Sequence, residues 1–263
     1  MIKIFLLFSL IIFSSGCKSS ATAKSINWYV PKPDSLWHIQ LSGKINTTYD
    51  VDIYDIDLFD VPIDTIDLLH QKQKKVICYF SAGSFESWRE DAKLFLSKDI
   101  GKKMDGWDEN WIDIRSQNVK NIMLKRLDLA KQKGCDGVDP DNVNAYTQKS
   151  GFDLSAEDQL EYNRFLANEA HKRGLGIGLK NDVDQIKELV DLFDFAVNEE
   201  CLYYKECSLT KPFSDANKAI FHIEYDKKFL NDREKMCQQS KNFKLNTLLL
   251  PLELDDSFRI SCQ

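Results

Sequence analysis

Gly137-Val138-Asp139-Pro140-Asp141-Asn142 reads as a short strand that ends in carboxylates. Residues two apart in a strand point to one face, so Asp139 and Asp141 share a face and Val138 takes the other. Pro140 halts ladder pairing there. An isolated Asp-x-Asp often caps the next helix. Here the pattern recurs on other strands, and paired carboxylates are costly to bury, so these strand ends point to a site.

The flanking segments carry helical spacing. Before the strand, Asn118–Lys133 sets Val119, Ile122, Met123, Leu127 and Ala130 on one stripe. After it, Ala156–Arg173 does the same with Leu160, Phe165, Leu166 and Ala170, and stops at Gly174, a usual helix-terminating residue. Val183–Leu192 is a shorter helical segment. Further strand-length runs are Trp37–Ser42, Val51–Asp57, Val76–Ala82, Leu175–Asn181, Phe193–Glu199, Ala219–Tyr225 and Thr247–Leu254. Alternating strands and helices predict a parallel sheet. Eight strands in about 225 residues predict an α/β fold of the closed (β/α)8 TIM-barrel type, in a single domain. The rival, an open doubly wound sheet, is often marked by a glycine-rich phosphate loop. Gly174-Leu-Gly-Ile-Gly178 is not one, because its glycines lead into a strand instead of opening a helix. The longest insertion, Ser81–Ser116, carries Trp88, Trp107 and Trp111, as packing or as a platform for sugar rings.

Of 263 residues, 43% are hydrophobic and 29% charged, enough for one large core. Residues 1–17 differ. A basic start, an apolar run from Ile4 to Phe13 and the small residues Ser14-Ser15-Gly16 before Cys17 read as a secretory signal. The last four resemble a bacterial lipobox, with Cys17 as the lipidated residue. Residues 18–30 read as a tether and 31–263 as the folded domain. The expectation is an exported chain, held to a membrane by its N-terminal lipid or secreted, and present as a monomer. Six further cysteines suggest disulfides. Cys201 with Cys207 and Cys237 with Cys262 are the expected pairs, leaving Cys78 and Cys135 as a third bridge or two thiols. No Cys-x-x-Cys occurs and the histidines are scattered, so no metal or other cofactor is expected. The formal charge is −6, without a Lys/Arg cluster, which argues against nucleic acid and allows a cationic partner.

Barrel enzymes place their chemistry at strand C-termini. Acidic groups collect there: Asp55 and Asp57, Asp139 and Asp141, Asp182, Glu199 and Glu200, and Glu224. Lys180 shares parity with Gly176 and Gly178 and is expected to point inward as their counter-charge. A carboxylate ring can bind metal, cleave glycosides or capture a cation. Only His222 joins the rim, so metal ranks lower. Crowded carboxyls readily provide one acid and one ionised partner, as glycoside cleavage needs.

The series Trp37…Gln40-Leu41-Ser42-Gly43, Tyr54-Asp55-Ile56-Asp57-Leu58-Phe59-Asp60, Cys78-Tyr79-Phe80-Ser81-Ala82-Gly83-Ser84, Asp136 to Asn142, Gly178-Leu179-Lys180-Asn181-Asp182 and Asn198-Glu199-Glu200-Cys201…Cys207 resembles glycoside hydrolase family 114, the endo-α-1,4-polygalactosaminidases. The resemblance runs from about Trp37 to Cys262. It implies a (β/α)8 barrel that cuts partly deacetylated galactosaminogalactan, a cationic exopolysaccharide of biofilms. By motif, the catalytic carboxylates are Asp141, as nucleophile, and Glu199, as acid/base. Strand parity with Ala196 and Asn198 instead favours Glu200; the motif reading is adopted. Asp55, Asp57, Tyr79, Asp139, Lys180, Asn181, Glu200 and Glu224 are expected to line the subsites. The alternative is a non-catalytic polysaccharide-binding lipoprotein on the same barrel.

Overall fold

Eight strands follow one another side by side in a curled parallel sheet. The structure, a computed structural model, describes residues 26–263. They are β1 (Trp37–Gln40), β2 (Ile53–Asp57), β3 (Lys75–Ser81), β7 (Gly137–Asp141), β8 (Gly176–Lys180), β9 (Phe195–Glu199), β10 (Ala219–Glu224) and β11 (Asn246–Leu249). Within the insertion after β3 lie β4 (Ser84–Phe85), β5 (Ile100–Lys103) and β6 (Asn110–Ile112), a small antiparallel sheet of order β4-β6-β5. A last short strand, β12 (Ile260–Ser261), pairs antiparallel with β11. The longer helices are α1 (Ile63–Gln71), α2 (Gln117–Lys133), α3 (Ala156–Lys172) and α8 (Arg233–Phe243). Between α3 and α8 come the short α4 (Ile186–Leu189), α5 (Cys201–Tyr204), α6 (Lys211–Asp215) and α7 (Lys228–Asn231).

The expected eight strands are therefore present, as a TIM-type curl. Its two ends are joined by the C-terminal segment rather than by a run of paired strand residues. Trp37 Nε1 donates to Asn246 O at 2.8 Å, and Arg259 Nη2 donates to Trp37 O at 2.8 Å. Leu254 O accepts from Leu41 N and Ser42 N, at 3.0 and 3.3 Å. The expected last strand, 247–254, thus ends early at Leu249 and becomes the strap that crosses the seam.

Strand alternation divides the sheet into two apolar surfaces. Trp37, Ile39, Ile53, Ile77, Phe195, Val197, Phe221 and Leu248 fill the interior. Val76, Cys78, Phe80, Val138, Ile177 and Leu179 face the helices. Both glycines of β8 face inward because the interior leaves them no room. A Cβ on Gly178 would stand 2.4 Å from the Phe195 ring, and one on Gly176 would stand 2.2 Å from Tyr29 O. Tyr29 belongs to the N-terminal segment, which folds under the barrel. Trp28, inside the expected tether, stacks on His171 at 3.8 Å and donates to Asp194 at 2.9 Å. Cys17 and the signal-like residues 1–17 lie outside the described residues.

The insertion is anchored by buried ion pairs. Arg89 reaches Asp57 at 2.6 Å and Glu86 at 2.8 Å, while Arg126 reaches Asp91 at 2.8 Å and Ser81 O at 2.5 Å. Both guanidinium groups lie over the Phe59 ring, at 4.8 and 5.0 Å. Of the three tryptophans there, Trp111 is buried, whereas Trp88 and Trp107 are about half exposed.

Three disulfides form: Cys78–Cys135, Cys201–Cys207 and Cys237–Cys262. The open choice for Cys78 and Cys135 thus resolves as a bridge. It ties β3 to the turn before β7, across 57 residues. Such bonds persist in oxidising compartments. Among the described residues, no helix is long and apolar enough to cross a membrane.

Behind β8, Asn163 of α3 donates to Asp182 Oδ2 at 2.8 Å, while Asp182 Oδ1 is buried without a donor. Burial, then the charges of Asp184 and Glu188, push the Asp182 carboxyl up to about 7 despite the Asn163 hydrogen bond.

Two outcomes follow for stability. Loss of the Cys78–Cys135 bridge closes no 57-residue loop in the unfolded chain and is expected to cost about 4 kcal/mol, against about 2 for the six-residue Cys201–Cys207 loop. Denaturant midpoints of the paired Cys→Ala variants measure the order. For Asp182, the folded state keeps a proton that the unfolded chain releases from about pH 4. Stability from this group is therefore present at acid pH and is lost as pH rises toward 7. Asp182→Asn should raise the melting temperature more at pH 8 than at pH 5; an equal shift at both would refute this.

Candidate active site

Inward parity at the C-terminal ends of β3, β7, β8 and β9 brings Tyr79, Asp139, Asp141, Lys180 and Glu199 together. Lys180 is the centre. Its ammonium lies 3.3 Å from Asp139 Oδ2, 3.7 Å from Asp141 Oδ1 and 3.9 Å from Glu199 Oε1. It also stands 5.1 Å above the Tyr79 ring. Burial lowers its pKa, but the charges of Asp139, Asp141, Glu199 and Asp55 outweigh burial and raise it. Because one ammonium contacts both, Asp141 Oδ1 and Glu199 Oε1 cannot be farther apart than its two distances end to end. That bound covers the separation used by retaining glycosidases, about 5–5.5 Å, and the lower part of the inverting range, about 6.5–9.5 Å.

Each of these two carboxylates is held by further donors. Asp141 Oδ2 accepts from Tyr79 Oη at 2.9 Å, and Asp141 Oδ1 from the Asn142 amide at 2.7 Å. Glu199 Oε1 accepts from Tyr225 Oη at 2.6 Å. Asn181 brackets Glu199: its Nδ2 donates to Oε2 at 3.1 Å and its Oδ1 accepts from the Glu199 amide at 2.9 Å. Asn181 does this from a left-handed backbone position, φ 50°, which Asn tolerates better than most residues. Burial raises both tyrosines well above their ordinary range, with Asp141 adding to the effect at Tyr79 and Glu199 at Tyr225.

Inward parity on β9 falls on Glu199, not on Glu200. Ala196 and Asn198 looked inward because they are small and polar, yet the interior is apolar and takes Phe195 and Val197 instead. Glu199 therefore points in. Glu200, with φ 59°, turns out along the wall of the cleft. Burial first, then Glu224 and Glu199, raise its pKa.

Several expected subsite residues are not at the surface of the cleft. Asp57 is engaged by Arg89 and by the amides of Phe59 and Asp60, each at 2.8 Å. Glu224 lies on the outer face of β10, fully buried, where its Oε1 accepts from the Leu202 amide at 2.8 Å and lies 3.1 Å from His222 Nε2. Asp55 and Asp139 are inward but wholly buried beneath the rim. The rim is consequently less acidic than the sequence suggested, because strand-end carboxylates divide between the interior, the insertion and the outer shell.

Two participants were not anticipated. Tyr225 follows the inward series Ala219, Phe221, Ile223, so parity could have identified it. Glu109, just before β6, belongs to the insertion and carries no periodic signal. Its Oε2 accepts from Ser84 Oγ, which lies 2.5 Å from Ser81 Oγ, which in turn accepts from Asn142 Nδ2 at 2.9 Å. Burial, then Glu86 and Asp141, push Glu109 up to about 7, against the Ser84 hydrogen bond.

A cleft of about 300 Å³ opens beside Glu199. Asn144, Asn181, Asp184, Glu200, Tyr204 and Glu206 line it. Among the described residues, the one His/Cys/Asp/Glu group with metal-ligand spacing is Cys201, Cys207 and His222. Its two sulfurs are bonded to each other, so it offers a single imidazole. The geometry that remains is a pair of hydrogen-bonded carboxylates flanking an ammonium beside an acidic cleft.

The family profile described as "Glycoside-hydrolase family GH114" matches residues 18–263. The crystal structure of Aspergillus fumigatus Ega3 in complex with galactosamine is 39% identical, with 93% of this chain and all (100%) of that one covered and a TM-score of 0.85. The glycoside hydrolase domain of PelA from Pseudomonas aeruginosa is 13% identical over 86% of this chain and 98% of that one, at a TM-score of 0.70, a likeness of fold. No curated protein sequence matches. The matched profile, spanning almost the whole chain, makes this protein a glycoside hydrolase of family 114.

Proposed function

We propose that this enzyme cuts α-1,4-galactosaminidic linkages within a cationic, partly deacetylated exopolysaccharide, from the end of an N-terminal lipid anchor on Cys17. The observation that carries the chemistry is the placement of Asp141 and Glu199 on either side of Lys180. A glycosidic bond breaks through an oxocarbenium-like state, which needs one carboxylate on the anomeric carbon and one proton on the leaving oxygen. Asp141 accepts from a main-chain amide and a tyrosine and lies nearer the ammonium, contacts that fix its carboxylate in place for the role of nucleophile. Glu199 lies beside the open cleft, and its partner Tyr225 can accept as well as donate a hydrogen bond. Access to the cleft and a partner able to serve as donor or acceptor suit the acid/base role. Tyr79, Asn181 and Lys180 orient the pair.

The substrate class follows from charge. Asp184, Glu200 and Glu206 present carboxylates along the cleft, and Tyr204 offers an exposed aromatic face for a sugar ring. Free amines on the polymer would pair with those carboxylates. Ega3, the relative solved with galactosamine, supports an amino sugar.

Purified residues 18–263 should release new reducing ends from deacetylated galactosaminogalactan. Asp141→Asn and Glu199→Ala are each expected to lower kcat at least about a thousandfold. Tyr225→Phe, which spares both carboxylates, should lower it about tenfold. Wild-type activity retained in Glu199→Ala would exclude Glu199 from the chemistry. Raising the ionic strength should increase KM more than it changes kcat, and full N-acetylation should abolish cleavage. Faster cleavage of the acetylated polymer would sink the cationic-substrate reading.

A further inference from the structure

Beneath the catalytic layer lies an unbalanced set of charges. Asp55 and Asp139 are both wholly buried inside the barrel, within hydrogen-bond reach of each other. Both oxygens of Asp55 and Oδ1 of Asp139 have no donor from any other side chain or amide. Among the described residues Lys180 is the one cation that faces them, and it is already shared among Asp139, Asp141 and Glu199. The remaining charged or titratable groups around this stack are accounted for: Asp57 is turned to Arg89, Tyr79 is hydrogen-bonded to Asp141, and Glu199 to Tyr225.

Two neighbouring carboxylates that are both wholly buried strongly disfavour double ionisation. A single proton placed between them supplies a donor where the structure lacks one and removes one negative charge. We propose that Asp55 carries a proton at neutral pH and donates it as a hydrogen bond to Asp139, so that Asp55 is a positioning residue that keeps Lys180 between the two catalytic carboxylates. With Asp55 neutral, Asp139 forms one balanced pair with Lys180, and the ammonium stays level with Asp141 and Glu199. With Asp55 ionised, the extra charge below would draw Lys180 down and leave the catalytic pair unscreened. The electrostatics of the stack point the same way. Burial raises Asp55 well above the usual carboxylate range, Asp139 and Asp141 add to it, and Lys180 opposes it. Asp139 itself rises to about 6, through burial and despite Lys180.

Asparagine is the discriminating substitution, because its amide is neutral, has the same shape and can donate to Asp139. The infrared difference between wild type and Asp55→Asn at pH 7 should contain the carbonyl stretch of a buried protonated carboxyl, lost in the variant. Asp55→Asn should turn over within about threefold of wild type with the same pH profile, whereas Asp55→Ala should slow by at least about tenfold, the size expected when a buried acceptor loses its donor, and should shift the acid limb of its profile. Absence of the carboxyl band overturns the proposal, and so does an Asp55→Asn enzyme as slow as Asp55→Ala. The infrared readout stands without any substrate and needs only folded wild type and Asp55→Asn. The turnover readout rests on the proposed glycosidase chemistry, so a wrong polymer would show as no activity in wild type while leaving the infrared result intact.

Discussion

The ammonium of Lys180 is the interaction on which the site depends. It is 2% exposed in a barrel interior that holds Asp55, Asp139 and Asp141, and no other cation reaches that space among the described residues. A buried charge is tolerated when it is paired and hydrogen-bonded, and here one cation serves carboxylates from β7 and β9, the two strands that flank its own. Parallel pairing of neighbours makes this possible: the register matches Gly137 with Gly176 and Gly178 with Phe195, which brings the three strand ends to similar height. The two glycines beneath Lys180 matter for the same reason. They leave the lower interior to Phe195 and Tyr29, so that the long Lys180 side chain meets carboxylates above a closed apolar plug.

The periphery holds that arrangement in place. Glu199 is followed by a left-handed turn at Glu200, then by α5, whose first amides are capped by Glu224 from behind the sheet. The Cys201–Cys207 bridge closes the same turn. Asn181 grips Glu199 from the next strand through both its main chain and its carboxylate. On the opposite side, Arg89 and Arg126 fasten the insertion to β2 and β3, and a chain of hydroxyls runs from Glu109 to Asn142 beside Asp141. Many of the acidic residues are therefore structural, while those left on the cleft wall, Asp184, Glu200 and Glu206, give it a negative charge.

Much of the barrel was legible in the chain. Strand-length runs alternate with helical stripes, and Asp139/Asp141, Lys180 with its glycines, and the cysteine pairs 201/207 and 237/262 follow from spacing. Reading failed where it assumed that an interior face must be polar. The inner face of β9 is Phe195, Val197 and Glu199, apolar until its last residue, so small-and-polar parity turned Glu200 inward where the fold turns Glu199. It failed also for Asp57 and Glu224, because acidity at a strand end says nothing about which partner will take the charge. Arg89, which takes the first, lies 32 residues away, and the Leu202 amide of α5, which takes the second, lies 22 away. Glu109 had no signal, since an insertion of irregular backbone has no period to reveal which side chain returns to the site.

By itself the sequence determined the local order: which segments pair as parallel strands, which faces are apolar, and that carboxylates and one lysine end on the same edge. These are properties of near neighbours, set by the two-residue repeat of a strand and the stripe of a helix. Tertiary structure decided which of those carboxylates share one ammonium, which are neutralised by arginines, and which become buried. That choice depends on distances between strands remote in sequence, and on the competition between desolvation and pairing that only the assembled sheet creates.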